Sequence, residues 1–423
     1  MNSKSKVINL GCRLNSHESS VITEILNEND IHNTTVINTC AVTNQAVQRS
    51  KKAIKLAKKN NPNNKIIVTG CASEIDPKMF NDMNEVNEII ENKYKTSETR
   101  FMKGLSFLET DIKDQVSLFP KKIGKDSNKS RALLQIQQGC DHRCTFCIIP
   151  FGRGDSISLP LGEIVNRTDE ILDSGYKEIT ITGIDITSYG NDLPGKPKLG
   201  EILQRLLKIK PKLERLRLSS IDPAEVDDDL LDLILYEPRF LPHVHLSIQS
   251  GDDLILKRMK RRHSRSTIFK LFNKIQKCRP EMTFGADFIV GFPTEGEENF
   301  RNTYSCIEQF KFSNLHIFPY SSKLNTPASR MPQVNEKEKT ERSKLLRKLG
   351  ENIKKNEMLK EIGNFKKILF ENKKLSYTDD YYKTTFSTLN DFHEKKLRGK
   401  VVKVQVSGIK DNIFQVSYNK NGI

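Results

Sequence analysis

Three cysteines form the first group of residues in this sequence whose type and spacing predict chemistry. Cys140, Cys144 and Cys147 are arranged as C-x3-C-x2-C. A structural zinc site usually takes four protein ligands, and disulfides use cysteines in pairs. Three thiolates instead match three irons of a [4Fe–4S] cluster and leave the fourth iron open. This spacing is typical of a cluster that binds S-adenosylmethionine, and the alternative is a zinc site that His142 completes.

A second set of three cysteines lies at matched positions near the amino terminus. Cys12, Cys40 and Cys71 each come directly after a predicted strand. These strands are Lys6–Gly11, Thr34–Thr39 and Lys65–Gly70. The carboxyl ends of parallel strands meet at one edge of an open sheet, where ligands bind. We therefore expect a second three-thiolate site, again with one open metal position. Cys278 and Cys306 lie in amphipathic helical segments and are expected to be buried.

The pattern of apolar residues divides the chain into three parts. Short β-branched runs alternate with amphipathic helices over residues 1–105, which predicts an open parallel α/β sheet. After a polar linker around residues 101–130, residues 126–355 contain six βα units, which predict a partial (β/α)6 barrel. Residues 363–423 are short alternating strands, typical of a small all-β module. The Cys140 loop follows the first barrel strand, at the end where barrel enzymes place their active sites.

The expected barrel strands and helices can be stated individually. The first strand begins near Ala132, and the others are Lys177–Ile184, Arg215–Ile221, His243–Ser250, Phe284–Phe292 and Asn314–Tyr320. Helical stretches such as Leu161–Gly175 and Arg265–Cys278 separate them.

Composition and charge restrict the class of partner. The 423 residues carry 69 Lys+Arg against 53 Asp+Glu, a formal charge of +16, which favours a polyanion such as RNA. A lysine-rich composition without binding significance is the alternative. No apolar run approaches the ~18 residues that a membrane-spanning helix needs, and the first residues lack a long apolar segment. We therefore expect a cytoplasmic protein without a membrane partner, whose cysteines are metal ligands or buried thiols.

With these motifs in order, the chain resembles the radical S-adenosylmethionine methylthiotransferases. The resemblance rests on "LGCRLNSHES", "INTCAVTNQA", "VTGCAS" and "QQGCDHRCTFCIIPFGRG", and it covers nearly the whole chain. The C-terminal "LFENKKLSYTDDYY" is similar to the RNA-binding TRAM module of that family. Two departures are notable. Arg13 stands where lysine is common, and Ile157 and Leu159 stand where the family usually reads R-S-R/V-P, so that an arginine beside the cysteine loop is missing.

Within the family, "GCRLNSHES" and "LHIFPYSSKLNTPASRM" most resemble the branch that modifies threonylcarbamoyladenosine. The resemblance implies addition of a methylthio group to C2 of that adenine at position 37 of tRNA, beside the anticodon. It also implies two [4Fe–4S] clusters, S-adenosylmethionine, a sulfur source, a flavodoxin or ferredoxin as electron donor, and a monomeric protein. The alternatives are isopentenyladenosine-37, a ribosomal-protein aspartate or, in another class, a non-catalytic iron–sulfur RNA-binding protein.

Other polar residues form two weaker sets of predictions. Near the cofactor we expect Gly183, Tyr189, Ser219, Ser247 and Gln249, although helix capping is the alternative for such polar strand ends. Phosphate contacts are expected from the basic residues Lys257, Arg258, Lys260, Arg261, Arg262, Lys383, Lys395, Lys396 and Arg398, or these lie on solvated surfaces. Tyr377 and Tyr381 could stack on bases or form the core of the β module.

Overall fold

The computed structural model describes residues 3–103, 119–124, 130–386 and 391–418, and residues 391–393 by their backbone alone. Most of the predicted linker lies outside the described residues. Among the helices in the described ranges, none combines the length and the apolar character that crossing a membrane requires.

The N-terminal part is a four-stranded parallel sheet with helices on both faces. Its strands are β1 (Lys6–Asn9), β2 (Thr34–Thr39), β3 (Lys65–Gly70) and β4 (Glu88–Ile89), in that order across the sheet. Its helices are α1 (Arg13–Glu28), α2 (Asn44–Asn60), α3 (Cys71–Ile75), α4 (Pro77–Asn81) and α5 (Glu98–Lys103). Because α1 and α5 pack on one face and α2–α4 on the other, β2 is buried along its whole length and β3 from its second residue onwards.

The central part is a partial (β/α)6 barrel. Its six parallel strands are β5 (Arg131–Gln135), β8 (Glu178–Thr182), β9 (Arg215–Leu218), β10 (His243–Gln249), β11 (Thr283–Val290) and β12 (Asn314–Pro319). Parallel bridges from Leu216 to Phe240 and from Ile221 to Leu246 join its first three strands to its last three. A small antiparallel pair, β6 (Gln137–Gln138) and β7 (Ile157–Ser158), interrupts the first unit. One apolar core extends through all six units.

The helices of the central part surround this sheet. They are α6 (Ile149–Arg153), α7 (Leu161–Asp173), α8 (Leu199–Ile209), α9 (Asp228–Tyr236), α10 (Asp253–Arg258), α11 (Arg265–Cys278), α12 (Glu297–Phe310) and α13 (Glu336–Leu359). The predicted barrel strands all form, with ends that differ by no more than three residues. Cys306 is buried as expected, but Cys278 is exposed because it ends α11, so that expectation was wrong.

The C-terminal part is a small closed barrel with strand order β13-β14-β15-β17-β16. Its strands are β13 (Phe365–Leu369), β14 (Ser376–Thr378), β15 (Lys383–Phe386), β16 (Val401–Lys410) and β17 (Ile413–Ser417). Phe370, Val404 and Phe414 lie in its apolar core. One helix, α14 (Asp391–Leu397), interrupts the strands and was not predicted.

The turn between β14 and β15 packs against the amino end of the central barrel. Tyr381 stacks on His243 with ring centroids 4.8 Å apart, and Asp379 pairs with Arg215 at 2.8 Å. His243 and Arg215 are the first residues of their strands, which defines the contacted end. From the N-terminal part, Arg13 donates a hydrogen bond to the Tyr381 hydroxyl at 3.2 Å. These contacts favour the structural interpretation of Tyr381 over base stacking.

Candidate active site

The three N-terminal cysteines meet at the carboxyl edge of the first sheet. Cys12 precedes α1, Cys40 follows β2, and Cys71 begins α3 directly after β3. All three line one cavity of about 1060 Å³. Burial raises the pKa of Cys12 and of Cys40, and the nearby charge of Cys71 raises both further. A metal cluster that binds these thiols displaces their protons. Three cysteines at one sheet edge are a donor set that fits such a cluster.

A buried group of charges lies behind this edge. Arg153, at the end of α6, donates from Nε to the Cys71 sulfur at 3.1 Å and from both Nη atoms to Glu18. Lys95 pairs with the same Glu18 carboxylate at 2.5 Å. Although burial opposes it, the charges of Arg153 and Lys95 lower the pKa of Glu18 to about 2. Asn15 accepts a hydrogen bond from Arg153 at 2.8 Å and one from the Cys12 thiol at 3.3 Å.

The second set of cysteines lies on one loop between β6 and β7. Gly139, directly before Cys140, has a φ of 71°, and a Cβ there would lie 1.9 Å from the Asp155 carbonyl oxygen. Only glycine therefore allows the loop to close, and the Cys140 amide then donates to the Gly154 carbonyl at 3.1 Å. Burial raises the pKa of Cys140, and burial raises the pKa of Cys147 to about 12. Three cysteines on one closed loop are the donor set that an iron–sulfur cluster takes, and binding would displace their protons.

Carboxylates and an imidazole surround the loop. Nε2 of His142 lies 3.0 Å from Asp185 and 3.4 Å from Glu225, while Asp185 Oδ2 lies 3.7 Å from the Cys140 sulfur. Hydrogen bonds that the ring donates to the Asp185 and Glu225 carboxylates raise the pKa of His142 to about 10, so the ring is an imidazolium at neutral pH. Because its Nε2 is bound by carboxylates, His142 does not fit the zinc alternative as a fourth ligand.

Arg261 is the predicted RNA-binding residue whose position differs most from expectation. Its guanidinium donates to the Ser247 carbonyl at 2.7 Å and pairs with Asp222 at 3.0 Å. Its Nη1 lies 3.8 Å from the Cys144 sulfur, and its side chain is only 8% exposed. Arg261 therefore belongs to the cysteine-loop site.

The remaining basic candidates divide between bound and exposed positions. Arg258 donates to Thr294, and Arg262 pairs with Asp222 and Glu225 while its side chain stays 40% exposed. The exposed candidates are Lys257, Lys260, Lys383, Lys395, Lys396 and Arg398. Their positions are compatible with phosphate contacts.

The residues predicted to surround the cofactor are also divided. Gly183 and Ser219 line the cavity, and the Ser247 hydroxyl donates to the Ile221 carbonyl at 3.2 Å. Gln249 ends β10 at a register shift with a φ of 72°. The Tyr189 hydroxyl instead donates to the Leu159 carbonyl at 2.5 Å, and its side chain is buried.

Leu159, which accepts this hydrogen bond from Tyr189, and Ile157 are the two residues that depart from the family pattern after the cysteine loop. Leu159 is buried in the barrel core, whereas Ile157 is 37% exposed. Neither supplies a polar group to the site.

Sequence reasoning missed Arg153, Glu18, Lys95, Asp185 and Glu225. For Arg153 a signal existed in "PFGRG", a single cation between glycines directly after the cysteine loop. For Glu18 and Lys95 the signal is their burial, which only the folded chain reveals.

The comparisons with known proteins agree with this architecture. Residues 134–307 match the Radical SAM superfamily, and residues 4–91 match Uncharacterized protein family UPF0004. A solved radical S-adenosylmethionine methyltransferase, TsrM from Kitasatospora setae, has a similar fold at a TM-score of 0.55 and 12% identity, covering 77% of each chain. The central barrel with its three-cysteine loop is thus that of a radical S-adenosylmethionine enzyme.

Two curated relatives extend over nearly the whole chain. The threonylcarbamoyladenosine tRNA methylthiotransferase MtaB of Rickettsia prowazekii is 44% identical, covering 90% of each chain. The MtaB of Bacillus subtilis is 33% identical, covering 94% of this chain and 92% of the relative. The chain belongs to the radical S-adenosylmethionine methylthiotransferase family, whose enzymes use S-adenosylmethionine and two [4Fe–4S] clusters.

Proposed function

We propose that this protein adds a methylthio group to C2 of N6-threonylcarbamoyladenosine at position 37 of tRNA. The observation that carries the proposal is the shared cavity, which has Cys12, Cys40 and Cys71 on one side and the barrel strand ends at Gly183 and Ser219 on the other. Ile184 also lines this cavity, and the next residue, Asp185, lies 3.7 Å from the Cys140 sulfur, so the second cysteine site adjoins the same space. The reaction requires a sulfur donor and a radical source next to one substrate space. The 44% identity to a threonylcarbamoyladenosine methylthiotransferase over 90% of the chain supports the choice of base.

The six cysteines are assigned to the two clusters in this proposal. Cys12, Cys40 and Cys71 hold the N-terminal cluster, and Cys140, Cys144 and Cys147 hold the cluster of the central barrel. When bound, the clusters and S-adenosylmethionine supply a carbon radical and the sulfur to be transferred. The chain's part is to orient the base between them and to exclude water from the cavity.

The charged groups around the cysteine loop suit the methionine end of the cofactor. Asp185 and Glu225 place carboxylate oxygens beside the cysteine loop, and these oxygens favour the cofactor's ammonium and sulfonium groups. Arg261, beside Cys144, is a donor for the cofactor's carboxylate.

The RNA and protein partners belong to the same proposal. Exposed Lys257 and Lys260 on the central part and Lys395 and Lys396 on the C-terminal barrel contact phosphates around the anticodon loop. A low-potential flavodoxin or ferredoxin supplies electrons, a separate source renews the sulfur, and the protein acts as a monomer in the cytoplasm. Residues 1–105, 126–355 and 363–423 form its domains.

The alternative substrates and the non-catalytic alternative are less well supported. The tRNA-2-methylthio-N(6)-dimethylallyladenosine synthase of Pelagibacter ubique is 29% identical over 95% of this chain, well below the MtaB relative. A ribosomal-protein substrate would not need the +16 charge. A non-catalytic RNA-binding protein would not need two three-cysteine sites.

Nucleoside mass spectrometry of tRNA from a deletion strain tests the proposal. We expect 2-methylthio-threonylcarbamoyladenosine to disappear, the unmodified threonylcarbamoyl nucleoside to accumulate, and the wild-type gene to restore the product. The Cys12→Ala gene should not restore it. An unchanged nucleoside profile in the deletion strain would overturn the proposal.

A further inference from the structure

Arg153 links the two cysteine sites through a hydrogen bond. Metal binding at either site does not require this bond. Arg153 lies in the segment that follows the Cys140–Cys147 loop, yet its Nε donates to the sulfur of Cys71, on the other site, at 3.1 Å. Its Nη2 donates to Asn15, which in turn accepts from the Cys12 thiol. One guanidinium thus reaches one cysteine of the N-terminal set directly and a second through Asn15.

The position of this guanidinium is fixed by close packing of α6 on α3. A Cβ at Gly152 would lie 3.2 Å from the Cys71 carbonyl oxygen, so the two backbones touch. The Gly152 carbonyl accepts a hydrogen bond from the Asn92 side chain at 2.5 Å, and Asn92 Oδ1 also accepts from Lys95 at 2.9 Å. The side chain of Arg153 is 0% exposed, which leaves it no alternative partner in water.

The buried charges around Arg153 do not balance. Arg153 and Lys95 are two cations, and Glu18 is the one carboxylate bound to both. Their side chains are 0%, 2% and 4% exposed, so water contributes little compensation. A surplus buried cation is costly unless an anion lies beside it. The nearest such group is the Cys71 sulfur, which becomes anionic when it ligates metal.

We propose that Arg153 is a positioning residue that raises the reduction potential of the N-terminal cluster through its charge and its N–H···S bond to Cys71. Hydrogen bonds to ligand sulfurs and nearby charge set cluster potentials. The purpose of this effect rests on the proposed function: joining a carbon radical to a methylthiolate held on the cluster's open iron would form one C–S bond, break one Fe–S bond and release one electron, which the oxidised cluster would accept. The effect on the potential does not depend on which substrate the enzyme modifies.

The test is a redox titration of the full-length protein with Cys140, Cys144 and Cys147 replaced by alanine, so that only the N-terminal cluster is reconstituted. Electron paramagnetic resonance measures the one-electron reduced cluster at fixed solution potentials set with dithionite. In this background Arg153→Gln should lower the ratio of reduced to oxidised cluster about tenfold at a given potential, as expected for loss of a charged hydrogen bond. Arg153→Lys keeps the charge but not the fork of donors, so a smaller decrease is expected.

Arg301→Gln is the matched control, because Arg301 pairs with Glu297 on the surface and its side chain is 76% exposed. It should leave the ratio unchanged. Ratios in both Arg153 variants equal to that of the parent protein would overturn the inference. If Arg153→Gln does not fold, Arg153→Lys decides alone, since any decrease it causes isolates the N–H···S bond. The failure of tRNA modification in cells would leave this result untouched.

Discussion

The two three-cysteine sites have the same side chains in different electrostatic surroundings. Around the N-terminal site the buried charges are two cations and one carboxylate, Arg153, Lys95 and Glu18. Around the loop site the charged residues are three cations and three carboxylates: His142, Arg261, Arg262, Asp185, Asp222 and Glu225. The first arrangement stabilises a resident anion. The second is balanced in charge, with Asp185 and Glu225 12% and 18% exposed, and suits a ligand with charges of both signs that enters and leaves. The surroundings, more than the cysteines, distinguish the two roles.

Replacing one cysteine at each site should have the largest effect and separate these roles. Cys140→Ala removes a ligand beside Asp185, and we expect no 5′-deoxyadenosine from S-adenosylmethionine. Cys71→Ala removes the thiolate that Arg153 contacts, and 5′-deoxyadenosine should still form while the methylthio product is lost. Both products can be quantified by mass spectrometry after anaerobic reaction with tRNA. Cys278→Ala, at an exposed cysteine outside both sites, should retain both products. Loss of 5′-deoxyadenosine in Cys71→Ala would contradict the division.

Removing the Glu18 carboxylate beside the N-terminal site should have the next largest effect, which is on the free energy of unfolding. Glu18→Gln leaves two buried cations without their shared partner, and we expect the free energy of unfolding to fall by about 3–5 kcal/mol. Asp155→Asn breaks the exposed Arg143–Asp155 pair beside the loop site and should cost no more than about 1 kcal/mol. Urea denaturation of the cluster-free protein at neutral pH measures both. Equal decreases in the free energy of unfolding for Glu18→Gln and Asp155→Asn would contradict the expected difference between the buried and the exposed ion pair.

The same carboxylate predicts a pH dependence. Because the pKa of Glu18 is lowered from 4.5 to about 2, its contribution to stability is present above pH 4.5 and is lost as the pH falls towards 2. The stability difference between wild type and Glu18→Gln should therefore narrow over that range. Urea midpoints of the cluster-free proteins at several acidic pH values test this. A difference that stays constant down to pH 2 would contradict it.

Replacing Lys260 and Arg261, which are neighbours in the sequence, should have the smallest effects. Each replacement should weaken the binding of a different ligand. Lys260 is exposed, so Lys260→Gln should weaken tRNA binding a few-fold and reduce the salt slope by about one, without affecting the cofactor. Arg261 faces Cys144, so Arg261→Gln should raise KM for S-adenosylmethionine about tenfold with little change in the salt slope. Fluorescence anisotropy with tRNA at several salt concentrations and initial-rate kinetics measure the two effects. The reverse pattern would place Arg261 on the RNA surface.

The sequence predicted the cysteines of the two sites better than the charged residues around them. The matched positions of Cys12, Cys40 and Cys71 predicted their convergence because strand ends in a parallel sheet share an edge. The contact between Arg153 and Cys71 could not be predicted in this way, since it depends on how α6 packs on another part of the chain. Arg261 was assigned to RNA because a basic run gives no indication of which side chain turns inward.

The contact of Tyr381 with the central barrel has a consequence for biosynthesis. Arg131, Arg215, Arg217 and Glu178 lie at the amino end of the barrel, where the C-terminal turn covers them. Until that turn has left the ribosome, this end of the barrel is open and its charged residues are hydrated. This end of the barrel is therefore covered only after the β14–β15 turn has been synthesised. A protein truncated before the C-terminal barrel would keep its six central strands but expose Arg215 and Arg217.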